Sequence, residues 1–152
     1  MSSGLEQQLR TDLTEAMRAR DELTTSTLRM ALTAVQTEAV SGKSARELTD
    51  AEVLQVLTRE GKKRRESAEA YDAASRPELA QRERAEGEVL ARYLPTPLTD
   101  EEVVSIVSAA IASSGAEGMK AMGAVMKLVT PQTTGRADGG RVSAEVRRQL
   151  GA

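Results

Sequence analysis

Leu94-Pro95-Thr96-Pro97-Leu98-Thr99-Asp100-Glu101-Glu102 is the stretch that decides how this chain is organised. Two prolines one residue apart remove two backbone donors and push the residues before them out of helical geometry. Directly after them, Thr99 and Glu102 have capping-box spacing: the threonine hydroxyl accepts from the third amide of a new helix while the glutamate reaches back to the cap amide. Helical patterning runs up to Leu94 and resumes at Thr99. The sequence therefore predicts a helical N-terminal domain over 1–94, a proline-containing linker over 95–98 and a small C-terminal three-helix domain over 99–152.

On the N-terminal side, Leu5, Leu9, Leu13 and Met17 recur every fourth residue and fall along one helix face. Leu28, Ala31, Leu32, Val35 and Ala39 form a second stripe, expected to end near Ser41-Gly42 with the glycine in a left-handed conformation. The polar, threonine-rich join from Asp21 to Thr25 marks a bend or break between the two. Thr49-Asp50-Ala51-Glu52 is another capping box, opening a helix that carries Val53, Leu54, Val56 and Leu57 and runs on to Ala74. Ser75-Arg76-Pro77-Glu78 repeats the pattern, with proline at the first helical position. Gly61 and Gly87 lie inside these helices, where each costs about 1 kcal/mol relative to alanine. They are candidate points of close helix crossing.

On the C-terminal side, Val103, Val104, Ile106, Val107, Ala110 and Ile111 follow the Thr99 cap, and Ser114-Gly115 stops the run. A short helix through Met119, Met122, Val125 and Met126 is expected to end before Pro131, and the methionines are read as core. Val142, Val146 and Leu150 define the last helix. No β alternation appears, so the fold class is all-α: an N-terminal hairpin or bundle plus the C-terminal helical trio.

Composition narrows the function. The 152 residues contain no His, Cys, Trp or Phe, which removes the commonest general base, the thiol nucleophile and the commonest metal ligand. No catalytic residues, metal ligands or cofactor motif are visible, and a non-enzymatic binding role is expected. No apolar run approaches the roughly 20 residues of a membrane span. No secretory signal is visible, and a cytoplasmic location is the expectation. The net charge of −2 is distributed unevenly: from Gly118 onward Lys120, Lys127, Arg136, Arg141, Arg147 and Arg148 face only Asp138 and Glu145. A local cationic field is compatible with an anionic partner whatever the average charge.

Two segments are candidates for anion contact. Arg59-Glu60-Gly61-Lys62-Lys63-Arg64-Arg65 packs five cations into seven positions. Its plainer reading is a solvated helix face neutralised by Glu60, Glu66 and Glu69; phosphate contact by Lys62, Lys63, Arg64 and Arg65 is the alternative. Thr134-Gly135-Arg136-Ala137-Asp138-Gly139-Gly140-Arg141 leads into the last helix, whose N-terminal amides attract anions. Against that, Asp138 is placed to cap those same amides, and spacing alone favours an ordinary inter-helix turn. No P-loop is present, since the Lys-Ser/Thr ending is missing.

The order of several segments resembles the GatB/YqeY-like family over nearly the whole chain. The residues that carry the resemblance are Leu28-Arg29-Met30, Glu60-Gly61-Lys62-Lys63-Arg64, Tyr93-Leu94-Pro95, the run Gly118 to Met126, and Gly135-Arg136-Ala137-Asp138-Gly139. The resemblance implies a free-standing relative of the tail domain of GatB, a component of aminoacyl-tRNA amidotransferase. It implies a tRNA-associated accessory module, non-catalytic by itself, even though such tails are catalogued under carbon–nitrogen ligase activity with glutamine as amido donor. Carried onto this sequence, the match makes Lys120, Lys127, Arg136, Arg141, Arg147 and Arg148 the expected contacts to tRNA or another structured RNA. About four phosphate contacts among the six would give a slope of log K against log salt near −3 to −4. The alternative is a protein adaptor in which Glu52 to Leu94 docks on a tRNA synthetase or amidotransferase.

Overall fold

The computed structural model describes residues 2–115 and 117–151. Among them every regular element is helical, with seven α-helices, one short 3-10 turn and no strand. The chain divides into two compact units, Met1–Leu94 and Pro95–Ala152.

The first unit contains α1 (Gly4–Ala19), α2 (Glu22–Ala39), α3 (Asp50–Ala73) and α4 (Pro77–Ala91). Helix α1 closes on Arg20 in the left-handed region, and Asp21 then caps α2, accepting from the Thr24 amide at 3.0 Å. The expected break therefore falls at its start. Leu9, Leu28, Val35, Val53, Leu57, Val89 and Leu90 are buried together, and each stabilises the unit by roughly 1.5–3 kcal/mol relative to exposure. The α1 stripe turns as it goes: four residues advance a helix by about 400°, so a four-residue repeat drifts about 40° per step. Leu9 is fully buried, but Met17 is 43% exposed and Ala16 takes its place inside.

Two expected boundaries move. Helix α2 ends at Ala39, and Gly42 does not supply a left-handed cap. Its last carbonyls are already satisfied: Val40 and Ser41 donate back to Gln36 and Glu38, and the Arg46 amide donates to Ala39. Ser75 does not cap α4. It takes φ +60° to close α3, where the Arg76 amide donates to Tyr71 at 2.8 Å, and Arg76 becomes a cap without a side-chain bond. Pro77 does sit at the start of α4, and the Thr49 box forms in full. Of the two glycines, Gly87 faces the Arg64 β-carbon across α3 and α4, whereas Gly61 is buried with no close neighbour at the position of a β-carbon.

The second unit contains α5 (Asp100–Ser114), the 3-10 turn (Met119–Ala121), α6 (Met122–Thr133) and α7 (Gly139–Gly151). The Thr99 capping box is present and Gly115 closes α5 at φ +64°. Val103, Val107, Val125, Val129, Val142, Val146 and Leu150 form the core. Helix α6 does not stop before Pro131 but runs on to Thr133. Pro131 is exposed, as is Lys127, whose carbonyl would take the missing bond, and the loss falls late in the helix. The methionines are not the core centre: Met119 is 50% exposed, and Met122 and Met126 pack at its edge while Ala121, Val125 and Val129 occupy the middle.

Candidate nucleic-acid interface

The six cations of the second unit have different surroundings. Helix α7 sets three of them by its periodicity, because Val142, Val146 and Leu150 must face the core. Adjacent residues on a helix diverge by about 100°, so Arg147 leaves one flank of that buried stripe while Arg148 points almost away from it, inclined to the other side. Arg148 lies on the α5 flank with Glu145, Gln149 and Arg141, where Gln149 donates to the Val104 carbonyl of α5 at 3.2 Å. It grips Glu145 through Nε at 2.9 Å and Nη2 at 2.6 Å. Those bonds, with one from Gln149, hold the Glu145 carboxyl down at about 2 and raise the guanidinium.

Arg141 pairs with Asp100 at 2.5 Å, tying the first turn of α7 to the first turn of α5. Arg136 is half-buried in the turn before α7: its carbonyl accepts from the Leu98 amide at 2.7 Å, and its Nε donates to the Thr96 carbonyl at 3.2 Å. Gly135 at φ +78° lets the chain make that turn. Asp138 caps α7, accepting from the Arg141 amide at 3.2 Å. Gly135 to Asp138 thus clips the residues around Thr96 to the α6–α7 turn and fills the helix N-terminus that an anion would need.

Lys120, Lys127 and Arg147 are different. All three are exposed and make no ion pair among the described residues. Arg147 lies one turn before Gly151, and a β-carbon on Gly151 would be 3.6 Å from the Met119 sulfur. Arg147 therefore leaves α7 on the flank that carries the 3-10 turn and Lys120. Lys127 projects from α6 opposite its buried stripe of Ala121, Val125 and Val129.

In the first unit, the cationic run spreads around α3. Arg59 pairs with Glu38 at 3.1 Å, and Lys63 and Arg64 share Glu60 at 3.3 and 3.0 Å. Lys62 and Arg65 remain exposed, and helical periodicity puts Glu66 and Glu69 on the same arc. Sequence reasoning did not single out Glu86, Arg82 or Asp12. Glu86 is buried beside Arg64 and Arg82; the Arg82–Glu86 spacing was readable, the burial was not. Tyr93 donates to Asp12 at 2.5 Å, and burial together with that carboxylate raises its phenol above the usual value.

The sequence model of the family described as Yqey-like protein matches residues 6–150. The chain belongs to the YqeY-like family. Two curated relatives extend the comparison. The chain is 30% identical over 150 residues to a Pyrenophora tritici-repentis protein named altered inheritance of mitochondria protein 41, mitochondrial, an alignment covering 95% of this chain and 80% of the relative. It is 32% identical over 87 residues to an uncharacterized protein of Schizosaccharomyces pombe, covering 57% of this chain and 69% of that one. No helix of the YqeY-like chain is long and apolar enough among the described residues to cross a membrane. Its family segments also divide in role: Gly135 to Gly139 builds a turn, whereas Gly118 to Met126 carries an exposed lysine.

Proposed function

We propose that this YqeY-like chain is an RNA-associated accessory module that acts by binding, with tRNA as its first candidate partner. In this reading residues 99–152 serve as a three-helix tail-like domain and residues 1–94 as a helical hairpin bundle. The observation that carries it is the set Lys120, Lys127 and Arg147, exposed and free of internal ion pairs among the described residues. Phosphate oxygens are what such cations attract without sequence preference. Neither tyrosine of the sequence belongs to the second unit, so stacking on unpaired bases has no platform there, and shape and backbone charge are left as the means of recognition.

Arg136, Arg141 and Arg148 enter this proposal as supports, because an RNA phosphate must first compete with Thr96, Asp100 or Glu145 for them. The cytoplasm and, given the name of the Pyrenophora relative, the mitochondrion are both settings where tRNA is available. The test is filter binding of purified protein to bulk tRNA, with duplex DNA as control. Replacing Lys120, Lys127 and Arg147 together by Ala is expected to weaken tRNA binding at least about tenfold, each contact being worth roughly 0.5–1 kcal/mol. The Arg141→Ala, Arg148→Ala double variant is expected to weaken it less. Equal loss from both variants, or none from the triple one, rejects the site.

A further inference from the structure

The first unit holds two sulfur contacts that RNA binding does not use. The chain has no cysteine, so methionine is its only sulfur. Met17 of α1 and Met30 of α2 are 43% and 40% exposed, open enough for a small solute to reach their side chains. Each carries an arginine on its sulfur. The Arg29 Nη2 lies 3.3 Å from the Met17 Sδ, and the Arg64 Nη2 lies 3.4 Å from the Met30 Sδ. These contacts join α1 to α2 and α2 to α3 through two adjacent residues, Arg29 and Met30.

A thioether is a weak acceptor, so a charged N–H gains little from it. Arg29 has no carboxylate partner among the described residues. Arg64 is held at Nη1 by Glu60 at 3.0 Å, which leaves Nη2 directed at the Met30 sulfur. Both donors therefore stand where a better acceptor on the same sulfur atoms would meet them. A sulfoxide oxygen is such an acceptor, because it carries partial negative charge and a guanidinium bonds it with charge assistance. Sulfoxide formation ordinarily disrupts a protein by placing a polar group in an apolar contact. Here each side chain is part in water and beside a cation, so the new oxygen gains a partner and little packing is lost. Met119 supplies the contrast: it is 50% exposed, and no arginine donates to it among the described residues. Met122 and Met126 pack against the second core.

We propose that Met17 and Met30 are sites of reversible oxidation by peroxides, and that Arg29 and Arg64 receive the sulfoxide oxygens and so tighten α1, α2 and α3 against one another. The co-reactant is hydrogen peroxide or an organic hydroperoxide. A sulfur lone pair attacks one peroxide oxygen, the S–O bond forms and the O–O bond breaks. The departing oxygen takes the proton of the transferred one through solvent and leaves as water or alcohol. Sulfur loses two electrons and the peroxide gains them. Return to the thioether requires a thiol-dependent sulfoxide reductase, in which two thiols become a disulfide and the oxygen leaves as water. The proposal is independent of RNA binding, since no residue is shared with the Lys120, Lys127 and Arg147 set.

The test treats the full chain, carrying Met119→Leu and ¹³C-labelled methionine methyls, with dilute hydrogen peroxide. Methyl NMR follows each sulfur separately, and thermal unfolding compares the oxidised with the reduced protein. Met17 and Met30 are expected to oxidise before Met122 and Met126, and the doubly oxidised chain is expected to melt about 4 °C higher. With Met30→Leu added, oxidation at Met17 alone is expected to keep part of that rise, and Arg29→Ala is expected to abolish it. Arg29 is chosen because it is exposed, whereas replacing Arg64 would leave Glu86 buried with one cation fewer. The proposal is overturned if oxidation lowers the midpoint or leaves it unmoved. It is equally overturned if Arg29→Ala retains the Met17 rise, or if Met17 and Met30 react no faster than Met122 and Met126.

Discussion

Arg147 and Arg148 are adjacent in sequence and have opposite surroundings. Arg148 is held by Glu145 on the α5 flank, while Arg147 leaves the other side unpaired among the described residues. The pair makes a prediction at its own scale. Glu145 titrates at about 2, first because of its bonds from Arg148 and then because of Gln149. A carboxyl lowered in the folded state contributes stability above its ordinary range near 4.3 and loses it as pH falls toward 2. Arg148→Ala is expected to return the Glu145 carboxyl toward the ordinary range in an NMR pH titration. An unmoved midpoint would mean that the bonds from Arg148 do not hold it down.

At the scale of the element, the helix ends divide into those that local chemistry dictates and those where two helices compete for one residue. Thr49 and Thr99 each bond the third amide of their helix and receive the glutamate in return. Thr99→Ala is expected to cost about 1 kcal/mol in urea unfolding, with Thr99→Ser close to neutral. Ser75 has cap spacing toward α4 but is taken by α3, which needs a left-handed residue to turn the chain before Pro77. Glycine adopts that conformation without the β-carbon clash. Ser75→Gly is therefore expected to stabilise the protein by about 0.5–1 kcal/mol, whereas a capping role for Ser75 requires destabilisation. Pro131 teaches the same lesson at the end of α6: proline costs a helix least where the lost bond is late and lies among exposed residues.

Across the molecule, counting charges along the chain overstates the cationic surface. From Gly118 onward the sequence shows six cations against two acids. Folding brings Asp100 of α5 to Arg141, and Glu145 engages Arg148, so fewer side chains are available to a polyanion. With three phosphate contacts the salt slope of tRNA binding is expected near −2 to −3, shallower than four contacts give. A measured slope of −4 or steeper would return Arg136, Arg141 and Arg148 to the interface.

The all-helical class, the proline break before Thr99, two full capping boxes, the Gly115 stop and the buried stripe of α7 were all legible in the order of the amino acids. They follow from periodicity and from side chains that bond their own backbone within three or four residues. Family membership was legible in the same way, from segments kept in order along the chain. Folding alone settled that Met17 and Met119 face outward, that Asp100 and Thr96 engage Arg141 and Arg136, and that Glu86 is buried beside Arg64. Those outcomes depend on groups remote in sequence, or on which of several faces a neighbouring helix covers. Local spacing carries no information about either.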